Sequence, residues 1–256
     1  MPKLIHGDCL TVMRALGNFD CVFADPPDNL GLSYGECDDN LSEADYLELL
    51  EAWFLESVMH APIVWFSVNS RWSAEFGKLI TSFRKTRPGW LYRHCEQVFT
   101  FGQHNKRWLG NNHRPLWCVF QENVTFFPDE IRVPSWRQRN GDKRADPRGR
   151  VPGDVFDMQY PSPGDVFDFP RVTGNSKHRC DWHPTQLHPE LVERVVKFSC
   201  KKTGRVLDPF AGTGTTMKVC KRIDRDCTAI DMDRTYCEQI AADLNLNPVS
   251  LECWAR

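Results

Sequence analysis

Three features of the sequence predict an α/β protein whose largely parallel sheet ends in antiparallel strands. Short apolar runs stop at Asp, Gly or Pro, helical periodicity fills the gaps between them, and one run passes through a glycine bend into a helix. Leu4 and Ile5 make the first strand, Gly7-Asp8-Cys9 turns the chain, and Leu10, Met13 and Leu16 share one helix face. Cys21 to Ala24 is a second buried strand. Ser42 with Asp45 opens an amphipathic helix through Tyr46, Leu50, Trp53 and Phe54. Ile63 to Phe66 is a third strand, and Ser70 to Ser82 a second long helix. Trp90 to Tyr92, Gln97 to Phe101 and Leu116 to Phe120 read as strand material closing the sheet in antiparallel fashion. A helix entered at Pro189, carrying Leu191, Val195 and Phe198, leads to the strand at Val206, and a last helix runs from about Asp233 to Leu244.

Between about residues 121 and 171 the apolar periodicity fades. Arg132, Arg137, Arg139, Lys143, Arg144, Arg148 and Arg150 are interleaved there with prolines, glycines and Trp136. A charged run is ordinarily a solvated loop, but a long insertion in a compact domain is more often functional. Arg132, Trp136, Arg137, Arg139, Lys143 and Arg144 are therefore the candidate nucleic-acid contacts. The hexapeptide Pro-Gly-Asp-Val-Phe-Asp occurs twice, from Pro152 and from Pro163. Two copies do not make a repeat protein.

With 256 residues and 41% hydrophobic content, one domain spanning 1–256 with this insertion is expected. A formal net charge of -2 supplies no global attraction to nucleic acid, so any contact falls to a local patch. Eleven cysteines without a C-x-x-C pair suggest unpaired thiols in a reducing compartment, and the absence of an apolar leader or a membrane-length run makes the cytoplasm the expected location. His178, Cys180, His183 and His188 lack the spacing of a zinc site, so no metal is expected.

The glycine bend, Val206 to Thr216 (VLDPFAGTGTT), organises the chain. Gly212 and Gly214 are positions at which backbone can approach a ligand. The bend matches neither G-x-G-x-x-G, whose third glycine would fall at Met217, nor a P-loop, whose Lys-Ser/Thr is replaced by Thr215-Thr216. Asp231, at the end of the next strand, stands where an acid accepts hydrogen bonds from ribose hydroxyls. A cofactor with a ribose and no pyrophosphate fits, and S-adenosylmethionine is one, its carboxylate held near Thr215 and Thr216 at the helix start. The second signal is Asp25-Pro26-Pro27. Two prolines fix φ and remove two amide donors, holding a carboxylate at a strand end, where open α/β sheets bind ligands.

With these pieces placed, the sequence resembles the amino-methylating DNA methyltransferases, which modify an exocyclic nitrogen of adenine or cytosine. Asp25 to Tyr34 (DPPDNLGLSY) is similar to the family's D-P-P-Y catalytic loop, and Asp208 to Thr216 to its cofactor motif. His183 to Gln186 resembles the segment preceding that motif, Gly7-Asp8-Cys9 the first turn and, more loosely, His113 to Phe120 a later strand. The catalytic loop precedes the cofactor motif, as in the family's beta group. That implies a Rossmann-like fold with a mixed seven-stranded sheet of permuted connectivity and an inserted target-recognition region. The resemblance implies double-stranded DNA as partner, no membrane, a monomer or homodimer, and allows a companion restriction nuclease. It assigns Asp8 and Cys9 to the adenine of the cofactor and Asp231 to its ribose. Asp208, Phe210, Gly212, Gly214, Thr215 and Thr216 fall to the methionine side, Thr185 and Gln186 line the pocket, and Asp25 borders cofactor and substrate.

The implied chemistry is direct displacement on a flipped base. Asp25 and the Pro26 carbonyl accept hydrogen bonds from the target amine and oppose its delocalisation into the ring. Pro27 and Asp28 complete the loop, but Asp28 stands where the family usually has an aromatic that stacks on the base, a contact worth roughly 1–3 kcal/mol. Tyr34, Trp65 and Trp136 are candidate replacements. Adenine-N6 methylation is the leading reading because the family's cytosine-N4 members more often carry Ser at position 25. Cytosine-N4 methylation, a DNA-binding homologue without catalysis, and methylation of RNA or protein glutamine are the alternatives.

Overall fold

The structure is a computed structural model that describes residues 2–35, 39–103, 106–153, 155–156, 172, 176, 179–247 and 249–250. The second hexapeptide copy and His178 lie outside these residues, as does the end of the first copy.

Among the described residues nine strands form one sheet. They are β1 (Lys3–His6), β2 (Cys21–Ala24), β3 (Ile63–Ser67), β4 (Trp90–Gln103), β5 (Asn111–Gln121), β6 (Val155–Phe156), β7 (Arg205–Asp208), β8 (Asp226–Asp231) and β9 (Val249–Ser250), in the spatial order β6-β4-β5-β3-β2-β7-β8-β1-β9. β6 and β9 are two-residue additions at the edges, so the body is the expected mixed seven-stranded sheet. β3, β2, β7, β8 and β1 run parallel, and β5 pairs antiparallel with β3 and β4. Trp90 to Gln103, read from sequence as two pieces, is one strand with an irregularity between Val98 and Gln103.

The helices are α1 (Cys9–Met13), α2 (Glu43–His60), α3 (Ser73–Thr86), α4 (Trp136–Arg139), α5 (Pro189–Ser199), α6 (Thr215–Arg222) and α7 (Arg234–Leu244). Ser42 caps α2 by accepting the Asp45 amide at 3.2 Å, as its spacing predicted. The helix expected from Ser70 begins as a 3-10 turn, Ser70–Trp72, because Asn69 accepts the Arg71 amide and tightens the entry. Alternate side chains of each strand serve opposite cores. Cys21, Phe23 and Val206 pack with α5, α6 and α7, whereas Val22, Ala24 and Leu207 pack with α1, α2 and α3. The result is a sheet covered by helices on both faces.

This topology creates a crevice. Adjacent strands β2 and β7 pair through Cys21–Val206 and Val22–Leu207, but β2 leads through α2 to β3 on one side and β7 through α6 to β8 on the other. Chains leaving neighbouring strand ends in opposite directions open a cleft at those ends. Asp25 and Asp208 therefore meet there.

The insertion starts at the other end of the sheet. The Gln121 amide donates to Pro62, the residue before β3, and the Phe127 amide donates to Phe198 near the end of α5. Phe126 stacks on Phe198 at 4.6 Å, and Glu130 pairs at 2.6 Å with Arg225, whose side chain is only 1% exposed. Beyond this anchor the chain closes on itself through a Val133–Arg150 bridge and a capping box between Ser135 and Gln138.

Gly214 shows how tightly the cofactor-side turn is built. Its φ is +70°, and a Cβ there would lie 2.8 Å from Ile240 Cγ2 on α7. Overpacking plus left-handed strain predicts that Gly214→Ala destabilises the protein by about 1–3 kcal/mol, measurable by urea unfolding.

Candidate active site

A single cavity of about 860 Å³ occupies the crevice, lined by Asp25 to Asp28 from the end of β2, Asp208 to Thr213 from the end of β7, and Asp231 from the end of β8. Asp8, Cys9, Tyr34, Thr185 and Gln186 complete much of its wall. Asp25 and Gly212, 187 positions apart in sequence, thus border one space.

The bend is closed by carboxylates. Asp208 accepts the Phe210 amide at 3.0 Å, and Asp231 accepts the Gly212 and Asp233 amides at 2.7 and 2.9 Å. These bonds use one direction at each oxygen of Asp231 and leave further lone pairs for a ligand. Burial pushes the Asp208 carboxyl up to about 7, against the Thr216 and Phe210 hydrogen bonds that lower it, and pushes Asp231 up to about 6. On the opposite wall, Tyr46 donates to the Pro27 carbonyl and Trp72 to the Asp28 carbonyl, both at 2.8 Å, fixing the loop after Pro26. Asp39 accepts the Asn29, Leu30 and Leu32 amides and fixes the rest.

The central charge is Arg114, from β5. Its guanidinium donates to Asp28 Oδ2 at 2.6 Å and Oδ1 at 3.0 Å, to Asp25 Oδ1 at 2.8 Å, and to Ser67 Oγ at 2.6 Å. Burial raises the Asp25 carboxyl above its usual range, and Arg114 opposes that shift. Asp25 keeps 23% of its side chain exposed, so one face of the carboxylate still meets the cavity.

Residues 19–242 match the profile of the N6/N4 DNA methylase family. The chain belongs to this DNA methylase family. The methylase is 30% identical over 241 residues to the type II methyltransferase M.HpaI of Haemophilus parainfluenzae, covering 90% of this chain and 71% of that protein. It is also 30% identical over 250 residues to the DNA adenine methyltransferase YhdJ of Escherichia coli K12, covering 91% and 79%. In fold it is similar to the PvuII cytosine-N4-specific DNA methyltransferase (TM-score 0.68, 14% identity, 98% and 89% covered). It is similar as well to M1.HpyAVI in its complex with SAM (TM-score 0.60, 18% identity, 96% and 100% covered).

Most residues expected at the methylase site lie on the cavity wall: Asp8, Cys9, Asp25, Pro26, Pro27, Asp28, Thr185, Gln186, Asp208, Phe210, Gly212, Thr215, Thr216 and Asp231. Several also carry structure. Asp8 caps α1 through the Thr11 amide, and Gln186 accepts the Cys180 amide. Gly214 does not line the cavity, and its missing Cβ faces α7, so its need for glycine comes from helix packing and a positive φ. Of the three replacement aromatics, Tyr34 is in the cavity wall, with its hydroxyl 3.3 Å from Thr185 Oγ1. Trp65 is buried and donates to Ser199 on α5, and Trp136 is 67% exposed on the insertion. His183 packs in the cavity wall against Tyr34 and Tyr236, and His188 caps α5.

The basic patch is a different case. None of Arg132, Trp136, Arg137, Arg139, Lys143 and Arg144 lines the cavity, because their segment follows an anchor at the other end of the sheet. Several of its charges are matched locally, Arg132 with Asp129, Arg144 with Asp142 and Arg148 with Asp146. Arg114, by contrast, is a site residue that no sequence motif marks, although an arginine next to the buried stretch Pro115 to Val119 needs a partner.

The raised Asp208 carboxyl has a pH consequence. A folded-state value above the unfolded one contributes stability that is complete below about 4 and lost as pH rises through about 7. Asp208→Asn, fixed in the neutral form, should therefore gain stability relative to wild type between pH 4 and 7, as read by urea unfolding across that range. An unchanging difference would contradict the raised value. Among the described residues no helix is long and apolar enough to cross a membrane.

Proposed function

We propose that this DNA methylase transfers a methyl group to the N6 amine of adenine in a base turned out of duplex DNA. The observation that carries this reading is the shared cavity, which joins the proline-held Asp25 to the glycine bend and Asp231. The cofactor is S-adenosylmethionine, which supplies an electrophilic methyl on a sulfonium. The cavity suits it: Asp231 has lone pairs left for ribose hydroxyls, Phe210 and Gly212 border the methionine side, and Asp8 and Cys9 the adenine. Five carboxylates, Asp8, Asp25, Asp28, Asp208 and Asp231, line this space with Arg114 among them, a setting that favours a positively charged ligand.

Asp25 and the Pro26 carbonyl accept hydrogen bonds from the two amine N–H groups. Arg114 on Oδ1 favours the ionised form of Asp25 against the effect of burial, and the carboxylate offers its remaining lone pairs to the amine. The Pro27 and Asp28 carbonyls already hold Tyr46 and Trp72, so the loop cannot shift to offer them instead. These acceptors pull the amine towards a tetrahedral geometry, and the proton that the nitrogen gives up once methylated passes to the Asp25 carboxylate. Asp28, engaged at both oxygens by Arg114, is not a base-stacking group. Tyr34 supplies the ring in its place.

The carboxylate at position 25 favours adenine. Similarity to YhdJ agrees with that choice, while similarity in fold to the PvuII enzyme keeps cytosine-N4 as the second reading. Nucleosides from duplex DNA incubated with the protein and labelled cofactor are expected to contain N6-methyladenine. Label in N4-methylcytosine alone would transfer the assignment to cytosine. The segment at about 121–171 acts as a second DNA contact, holding flanking duplex away from the extruded base through salt-sensitive phosphate contacts.

A further inference from the structure

Two tryptophans stand out on the described surface: Trp136 on the insertion, and Trp108, which is 80% exposed beside Leu109 at 82%. Only Trp108 is at the cavity end of the sheet. It lies in the connection between β4 and β5, and the first residues of β5 extend past the end of the parallel strand β3, whose Ser67 pairs with Leu116. The first residues of β5 are cavity wall: Asn111, His113 and Arg114. Asn111 donates to Ser70 Oγ at 2.7 Å, tying the hairpin base to the turn whose Asn69, Ser70 and Arg71 also border the cavity. Asn111 is three positions beyond Trp108, a chain reach of at most roughly 11 Å. Trp108 and Leu109 therefore stand at the rim of the opening through which a base must enter.

Its chemistry is apolar flanked by positive charge. Lys106 and Arg107 precede Trp108 and are exposed, and Arg71 on the neighbouring turn is half exposed. A large ring and a branched side chain held in water are unfavourable unless something covers them. Adjacent cations select a polyanion as that partner. Extruding a base leaves a gap in the stack, and apolar side chains inserted between base steps are a known means of holding such a gap open.

We propose that Trp108 and Leu109 form a wedge that enters the duplex beside the target and occupies the stack vacated by the extruded base, with Lys106 and Arg107 on the adjoining phosphates. This rests on the reading of the protein as a methylase of duplex DNA. Trp108 is then a positioning residue, since it acts on the base step and not on the amine. The basic segment 132–150, which follows an anchor at the other end of the sheet, is unsuited to that task.

The test compares kcat/KM for two duplexes, one with the target adenine paired to thymine and one with it opposite an abasic site, whose target is already unpaired. Trp108→Ala is expected to lose on the order of ten- to a hundredfold on the paired duplex and less than about threefold on the abasic one. The fluorescence rise of 2-aminopurine at the target position on binding should fall in parallel, with cofactor binding unchanged. An equal loss on both duplexes, no loss on either, or conversion of a dimer to a monomer would overturn the wedge. Failure of the wild-type protein to methylate either duplex would instead refute the underlying functional reading.

Discussion

Asp25→Ala is expected to reduce kcat by about 10²–10³-fold while leaving cofactor affinity within a small factor of wild type. The carboxylate has two duties in the cavity. In the proposed mechanism it accepts a hydrogen bond from the amine on its exposed face, and it answers the Arg114 guanidinium at 2.8 Å. The second duty is shared, because Arg114 keeps both oxygens of Asp28 and Ser67 when Asp25 is lost. The fold should therefore survive, and the defect should lie in the chemical step. Asp25→Asn is a sharper probe: it keeps the shape and one acceptor oxygen but loses the charge that stabilises positive charge developing on nitrogen. Single-turnover methyl transfer with saturating DNA would measure both variants. A variant with near wild-type rate would remove Asp25 from the mechanism.

The second large effect is expected at Arg114. Replacing it with Met leaves Asp25 and Asp28 facing each other in a buried site with no cation between them, a change of the kind that costs about 3–5 kcal/mol. The pH dependence separates this from simple loss of packing. Burial already raises the Asp25 carboxyl above 3.8, and Arg114 is the group that holds it down. Without Arg114 the folded-state value rises further. Protonated Asp25 cannot accept from the amine with the same strength, so the acid limb of kcat against pH should move upward. The stability deficit follows the same sign. A raised folded value contributes stability below about 4 that disappears as pH rises, so Arg114→Met should be weakest at neutral and alkaline pH and recover on acidification. Arg114→Lys keeps the charge but not the fork that meets Asp25, Asp28 and Ser67 together, and should show a smaller shift. Urea unfolding and pH-rate profiles of the two variants are the measurements, and profiles that coincide with wild type would contradict the assigned role.

Arg114 also explains where sequence reasoning stopped. The strands were legible because Cys21 to Ala24, Ile63 to Phe66 and Val206 to Leu207 are short apolar runs that end at Asp, Ser or Gly. The turn motifs were legible because prolines and glycines act on their immediate neighbours. The partnership of Arg114 with Asp25 and Asp28 spans 89 and 86 positions and has no local signature. A signal did exist in two departures taken together: an arginine just inside a buried strand, and an aspartate where the family carries an aromatic. Each makes sense as the partner of the other. Gly214 resembled Gly212 for a similar reason, since a local motif does not say which face of a turn meets α7, a helix that follows only after α6 and β8. The insertion was recognised by composition, but its anchor at Arg225 and Phe198, at the end of the sheet away from the cavity, depends on tertiary contacts that composition cannot carry.

The most direct test of the central claim is a crystal structure of the protein with sinefungin, a stable analogue of S-adenosylmethionine. The account predicts that the ribose hydroxyls meet Asp231, the amino acid end follows the bend at Phe210 to Gly212, and the amine that replaces the methyl points towards Asp25 and the Pro26 carbonyl. An analogue bound elsewhere, or bound here with that amine turned away from Asp25, would contradict it.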